Sequence, residues 1–253
     1  MLKRLLSVLL TKKSEINNSC VRRNLSSGIL FEKSGLYDII FSEVRALKKA
    51  VLYVHGKGGN AGEAEHYKPF FAGCDVVGAD YQSEFPWETK NEILSEYESL
   101  TNKYNSVIIV ANSIGAYFTM NALQGKSVER AFFISPIADM ERLITDMMSW
   151  ANVTESELKE KQEIVTPFGE TLSWKYLCYV RDNPIEWKVP TDILYAENDN
   201  LTSRETVSDF ANRTNASLTV MSGGEHWFHT KEQMNFLDKW LTKALNDSLE
   251  DVK

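Results

Sequence analysis

Cysteine is scarce in this chain. Its 253 residues hold three, Cys20, Cys74 and Cys178, far apart and in no C-x-x-C pair. An odd, scattered set argues against a disulfide framework or a zinc site and for reduced thiols in a cytoplasmic setting. Histidine is almost as rare. Only His55, His66, His226 and His229 are available to any chemistry that needs an imidazole base. There is no internal repeat, no low-complexity tract and no Gly/Ser- or Pro-rich linker to divide the chain. Basic charge is not in excess: the net charge is −7, which argues against nucleic acid as a partner. The first apolar run, Leu5 to Leu10, is too short to span a bilayer.

What is present is an ordinary globular composition, 43% hydrophobic and 25% charged, in a length that fits one large α/β domain. Such a chain buries a substantial core without disulfides or metals. Residues 1–27 stand apart as a basic arm, with six Lys/Arg (Lys3, Arg4, Lys12, Lys13, Arg22, Arg23) against the single acid Glu15. No small-residue cleavage site follows closely, which counts against a secretory signal. A frayed tail or short docking helix is the plainer expectation for the arm, ahead of contact with a membrane surface. The expected organisation is this arm at 1–27 and one domain at 28–253.

Short β-branched runs alternate with longer amphipathic stretches. Strands are expected at 37–41, 50–56, 74–81, 106–111, 130–135, 191–197 and 217–222, several of them apolar throughout, as in strands covered on both faces. Between them, Ile93, Leu94, Tyr97, Leu100 and Tyr104 share one helical face. Thr202 with Glu205, and Thr230 with Gln233, have the spacing of helix-capping boxes. This alternation predicts a mostly parallel central sheet with helices on both faces. The interval from about 138 to 186 is too long for a bare loop and holds three helix-forming stretches. It reads as a helical insertion above the sheet.

Ligands of such sheets collect beyond the carboxyl ends of the strands, and Ser113 falls there. Small neighbours, Ala111 and Gly115, permit a sharp turn into the helix that begins near Ile114. A plain helix cap is the competing reading of a serine at that position. The run Ala111-Asn112-Ser113-Ile114-Gly115 resembles the nucleophile elbow, G-x-S-x-G, of the α/β-hydrolase fold, with alanine in place of the first glycine. Three further stretches carry the same resemblance. In "LYVHGKGGN" (52–60), the family's oxyanion loop corresponds to the Lys57 backbone amide, with Gly58 as the other candidate, acting with that of Ile114. His55 would brace the loop. The phosphate-loop pattern is missing there, because Lys57 precedes the glycine pair. In "LYAENDNLTS", Asp199 takes the place of the triad acid, with Asp139 as the competitor. In "VMSGGEHWFHT", His226 takes the place of the base, with His229 as the competitor. The family's chain order of serine, acid, histidine is kept as Ser113, Asp199, His226.

The resemblance covers about residues 36–245. It implies a carboxylesterase-like serine hydrolase acting on a small-molecule acyl substrate, with no cofactor and no metal, and with the insertion as a lid. Thioesterase, acyltransferase or peptidase chemistry and a non-catalytic binding module are the alternatives. Among residues outside the four stretches, Glu63, Glu65 and His66 read as a solvated helix start. Trp87 reads as packing.

Overall fold

The computed structural model describes residues 48–250, with side chains described to 247. The arm at 1–27 and the strand expected at 37–41 lie outside the described residues. Six of the expected strands are present as β1 (Lys49–Val54), β2 (Cys74–Gly78), β3 (Ser106–Asn112), β4 (Arg130–Ile134), β7 (Thr191–Ala196) and β8 (Ser217–Met221). They form one sheet in the order β2-β1-β3-β4-β7-β8, every pair parallel. In the centre of the sheet each strand is apolar on both sides. Ala50, Leu52, Val54, Val107, Ile109 and Ala111 pack into the core on one face. Their alternates Val51, Tyr53, Ile108 and Val110 pack on the other, as the two-residue period of a strand requires.

The first face is covered by α1 (Pro86–Thr101), α2 (Ile114–Leu123), α6 (Arg204–Thr214) and the insertion. The second is covered by a 3-10 helix at Ala61–Phe70 and by the terminal helix α7 (Lys231–Glu250), through Tyr67, Phe71, Leu237, Trp240 and Leu241. Helix α1 starts earlier than its apolar stripe suggests, with Pro86 in the first turn, where a missing N–H costs nothing. Helix α2 is buried on all sides after Ile114. It therefore has no polar face to advertise it in the sequence.

The insertion between β4 and β7 contains α3 (Met140–Trp150), α4 (Glu155–Lys161) and α5 (Trp174–Asp182). It is not wholly helical. Glu163–Val165 (β5) and Thr171–Ser173 (β6) form an antiparallel hairpin. Its turn is closed by the Thr166 amide on the Glu170 carbonyl (2.8 Å), with Gly169 at φ 89°. The stretch 171–173 is strand, and Ser173 caps α5. Three-residue strands are too short to show a period. The cap of α6 also differs: Ser203, not Thr202, accepts the Thr206 amide. The Thr202 carbonyl instead holds the Tyr195 hydroxyl at 2.9 Å. The Thr230–Gln233 box at the start of α7 is present in both directions. No helix among the described residues is long and apolar enough to cross a membrane.

Candidate active site

Parallel pairing delivers the carboxyl ends of β1, β3, β4, β7 and β8 to one rim. β1 and β3 are neighbours, but the chain leaves them toward opposite edges of the sheet. This topological switch is where an open α/β sheet has its crevice. The loop His55–Asn60 follows β1 and the Ser113 turn follows β3, so both stand at that switch.

Ser113 sits at φ 52°, ψ −123°, a strained conformation for a residue with a side chain. It is held from both sides: its amide donates to the Ile134 carbonyl (2.9 Å), and its carbonyl accepts from Ala116 and Ile137 (both 3.1 Å). The turn presses α2 against the end of β1. A Cβ on Gly115 would lie 2.3 Å from the His55 carbonyl oxygen, and one on Gly56 would lie 3.1 Å from the Ser113 Cβ. The alanine at 111 is accommodated, fully buried in the core. The close approach falls at 115 instead.

Ser113 Oγ lies 2.8 Å from His226 Nε2, and His226 Nδ1 lies 2.7 Å from Asp199 Oδ2. The second Asp199 oxygen accepts the amides of Leu201 (2.8 Å) and Thr202 (3.0 Å). With Nδ1–H donated to the carboxylate, Nε2 presents its lone pair to the serine. The side chains of His226 and Asp199 are 3% and 0% exposed, so the pair is closed to water. The two competitors are engaged elsewhere. Asp139 caps α3 by accepting the Arg142 amide, and His229, 58% exposed, donates from Nδ1 to the Trp227 carbonyl.

The loops that carry Asp199 and His226 are sewn together. The Asn198 amide donates to the Gly224 carbonyl (2.8 Å), and Glu197 accepts the Ser222 hydroxyl (2.6 Å) and the Gly223 amide (2.8 Å). The Ser222 hydroxyl, then the Gly223 amide, hold the Glu197 carboxyl below the usual range. On the other side of the serine, the loop after β1 turns tightly, with the Gly59 amide on the Gly56 carbonyl (3.1 Å) and Gly58 at φ 74°. Lys57 lies inside that turn, and its Nζ reaches Glu170 in the hairpin of the insertion (2.5 Å). Ile114 opens α2, where amides have no intrahelical partner. His55 is buried, stacked on Tyr81 at 4.1 Å, with its Nδ1 on the Gly56 carbonyl (2.9 Å).

No family model matches this sequence, and no curated protein matches it by sequence. Solved structures do match it in shape. Est1E from Butyrivibrio proteoclasticus, in a structure with ferulic acid bound, superposes with a TM-score of 0.63 at 14% identity over 80% of this chain and 90% of that one. Alpha/beta hydrolase domain-containing protein 10 from mouse does so with a TM-score of 0.61 at 16% identity, covering 81% and 90%. The chain has the α/β-hydrolase fold. A CIB-like hydrolase from Thermoplasma acidophilum is similar over 78% of this chain and 86% of its own, with a TM-score of 0.51 and 14% identity.

Within this α/β-hydrolase fold, one feature differs from what the sequence suggests. Glu63 is not a solvated helix residue. Its carboxylate accepts the Tyr53 hydroxyl at 2.6 Å and the Asn60 amide at 3.2 Å. The Asn60-x-x-Glu63 spacing of a capping box was the available signal. The insertion's large side chains mostly serve packing: Met140 and Met148 are buried against the core. Trp87 is packed as expected, stacked on Phe85 at 4.8 Å with Lys175 Nζ 3.9 Å above its ring.

Proposed function

We propose that the chain is a serine hydrolase that cleaves a carboxylic ester or related acyl substrate through an acyl-serine intermediate. The observation that carries this reading is the unbroken line from Ser113 Oγ through both nitrogens of His226 to an Asp199 carboxylate whose other oxygen is already occupied. A serine hydroxyl is a weak nucleophile until a base accepts its proton. His226 Nε2 takes that proton as Oγ bonds to the substrate carbonyl carbon. The buried Asp199 stabilises the imidazolium so formed and keeps its orientation. The carbonyl oxygen, now carrying the charge, is met by the amides of Ile114 and Lys57, with Gly58 the alternative to Lys57. One such donor supplies about 2.7–4 kcal/mol of transition-state stabilisation. Collapse breaks the bond to the leaving group, which departs with the proton from Nε2. Water then attacks the acyl-serine by the same route and releases the acid.

The insertion acts as the lid over this site, and the Lys57–Glu170 pair is its tie to the oxyanion loop. The free thiols of Cys74 and Cys178 support a reducing compartment, the cytoplasm, as the place of action. The decisive experiment is labelling with a fluorophosphonate, followed by mapping of the modified peptide and turnover of an activated ester. Label on Ser113, and loss of both label and turnover in a folded Ser113→Ala variant, is the expected result. Undiminished turnover in that variant overturns the assignment. A folded wild-type protein that neither labels nor turns over ester is a binding module instead.

A further inference from the structure

The carboxylate of Glu63 does more than a helix cap requires. A capping box uses one carboxylate oxygen on the cap residue's amide, and Oε1 does this for Asn60. The other oxygen, Oε2, reaches out of the helix to the hydroxyl of Tyr53 on β1. That phenol is 1% exposed and packs on Tyr67 with ring centroids 4.9 Å apart, so its position is fixed by the core. Glu63 thus accepts from Tyr53 on one oxygen and from the Asn60 amide on the other.

The place of these donors is informative. Asn60 ends the glycine turn that contains Lys57 and Gly58. Glu63 also lies flat against that turn: a Cβ on Gly59 would come within 2.7 Å of its Oε1 and 3.0 Å of the His55 Cβ. The loop is thus clamped between Ser113, which Gly56 faces, and the Glu63 carboxylate. We infer that Glu63, itself held by Tyr53, is a positioning residue that sets the aim of the glycine-turn amide that receives the oxyanion together with the amide of Ile114. The inference rests on the acyl-serine reading and adds to it a residue that touches neither substrate nor nucleophile.

The chemistry suits the task. A charged acceptor makes shorter and roughly twofold stronger hydrogen bonds than a neutral one, and linked donors polarise one another in a low-dielectric setting. Two amides aimed at a charge that exists only in the transition state must be oriented beforehand to be effective. Loosening them therefore lowers kcat and leaves ground-state binding, and hence KM, largely untouched.

The test uses the full chain with an activated ester and a boronic acid as a tetrahedral-intermediate mimic. Glu63→Ala is expected to lower kcat by about 10- to 100-fold with KM within about twofold, and to weaken the boronic acid by the same factor as kcat/KM. Glu63→Gln keeps one acceptor oxygen but turns an NH2 toward a donor, so it is expected to recover part of the loss. Tyr53→Phe keeps the ring and removes the hydroxyl that holds Glu63, and it is expected to lower kcat in the same direction. It also keeps the test open should Glu63→Ala fail to fold. Full kcat in the folded variants overturns the inference while Ser113 labelling stands. So does a loss that appears as raised KM, or that leaves boronic acid affinity unchanged, because a merely structural role has that signature. A wild-type protein inert to both ester and fluorophosphonate overturns the acyl-serine reading itself, and this inference with it.

Discussion

Gly115 shows how tightly a single position constrains the elbow. Its missing side chain lets α2 close on β1, where a methyl would meet the carbonyl oxygens of His55 at 2.3 Å and Val54 at 2.6 Å. Backbone cannot yield as a flexible side chain can. Gly115→Ala is therefore expected to destabilise the fold by about 1–3 kcal/mol, the usual range for overpacking, and to lower kcat by shifting Ser113 from His226. Urea unfolding and ester turnover on the same sample check both parts. Asp199→Asn tests a different dependence. The amide keeps the shape but does not stabilise an imidazolium, and a loss of kcat of about 10⁴-fold is expected with the melting temperature nearly unchanged. That Ser113, Asp199 and His226 come together was legible in the sequence, because each follows an apolar run that ends at the same rim. Glu63 was not, because the hydroxyl that gives it meaning comes from Tyr53, on a different element.

At the scale of elements, the loops after β7 and β8 behave as one unit. Glu197 joins them through Ser222 and Gly223, and its carboxyl is held below its ordinary value by those two bonds. A depressed carboxyl stabilises the fold above its unfolded pKa, about 4.3 for glutamate, and that contribution is lost as pH falls through the lower folded value. The melting temperature of the wild type is therefore expected to fall more steeply between about pH 5 and pH 3 than that of Glu197→Gln. Parallel melting curves across that range would dissolve the link. Capping chemistry was readable only in part at this scale, and the misplaced cap of α6 is instructive. Thr202 had the right spacing, but its amide is taken by Asp199 and its carbonyl by Tyr195, so the cap moved one residue on. The hairpin β5–β6 was unreadable for another reason. It is held by its turn and by packing of Leu172 in the core, which a short run of residues does not reveal.

Across the whole molecule, the alternation of strand and helix implied a parallel sheet, and a parallel sheet has two unlike ends. The order of strands could not be read in the same way, because it is set by which helix covers which face. Its consequence is that the proposed chemistry falls at the carboxyl rim and leaves the amino rim to stability. At the amino rim the first residue of β4, Arg130, meets the second residue of β7, Asp192, at 2.6 Å. The carboxylate is only 7% exposed, while the guanidinium, at 25%, keeps some water and lies over the Phe132 ring. Removing the acid leaves a partly buried cation without its partner. Asp192→Ala is thus expected to cost about 3 kcal/mol, the lower end of the range for breaking a buried pair, since Arg130 can still turn toward solvent. Because Asp192 lies at the strand end opposite Ser113, His226 and Asp199, kcat per folded molecule should be unaltered below the melting temperature. Ser113→Ala should give the converse, full stability and no turnover. If instead Asp192→Ala lowers kcat in proportion to its loss of stability, the two rims are coupled through β4 and β7, and the sheet is not the rigid platform that this division of labour requires.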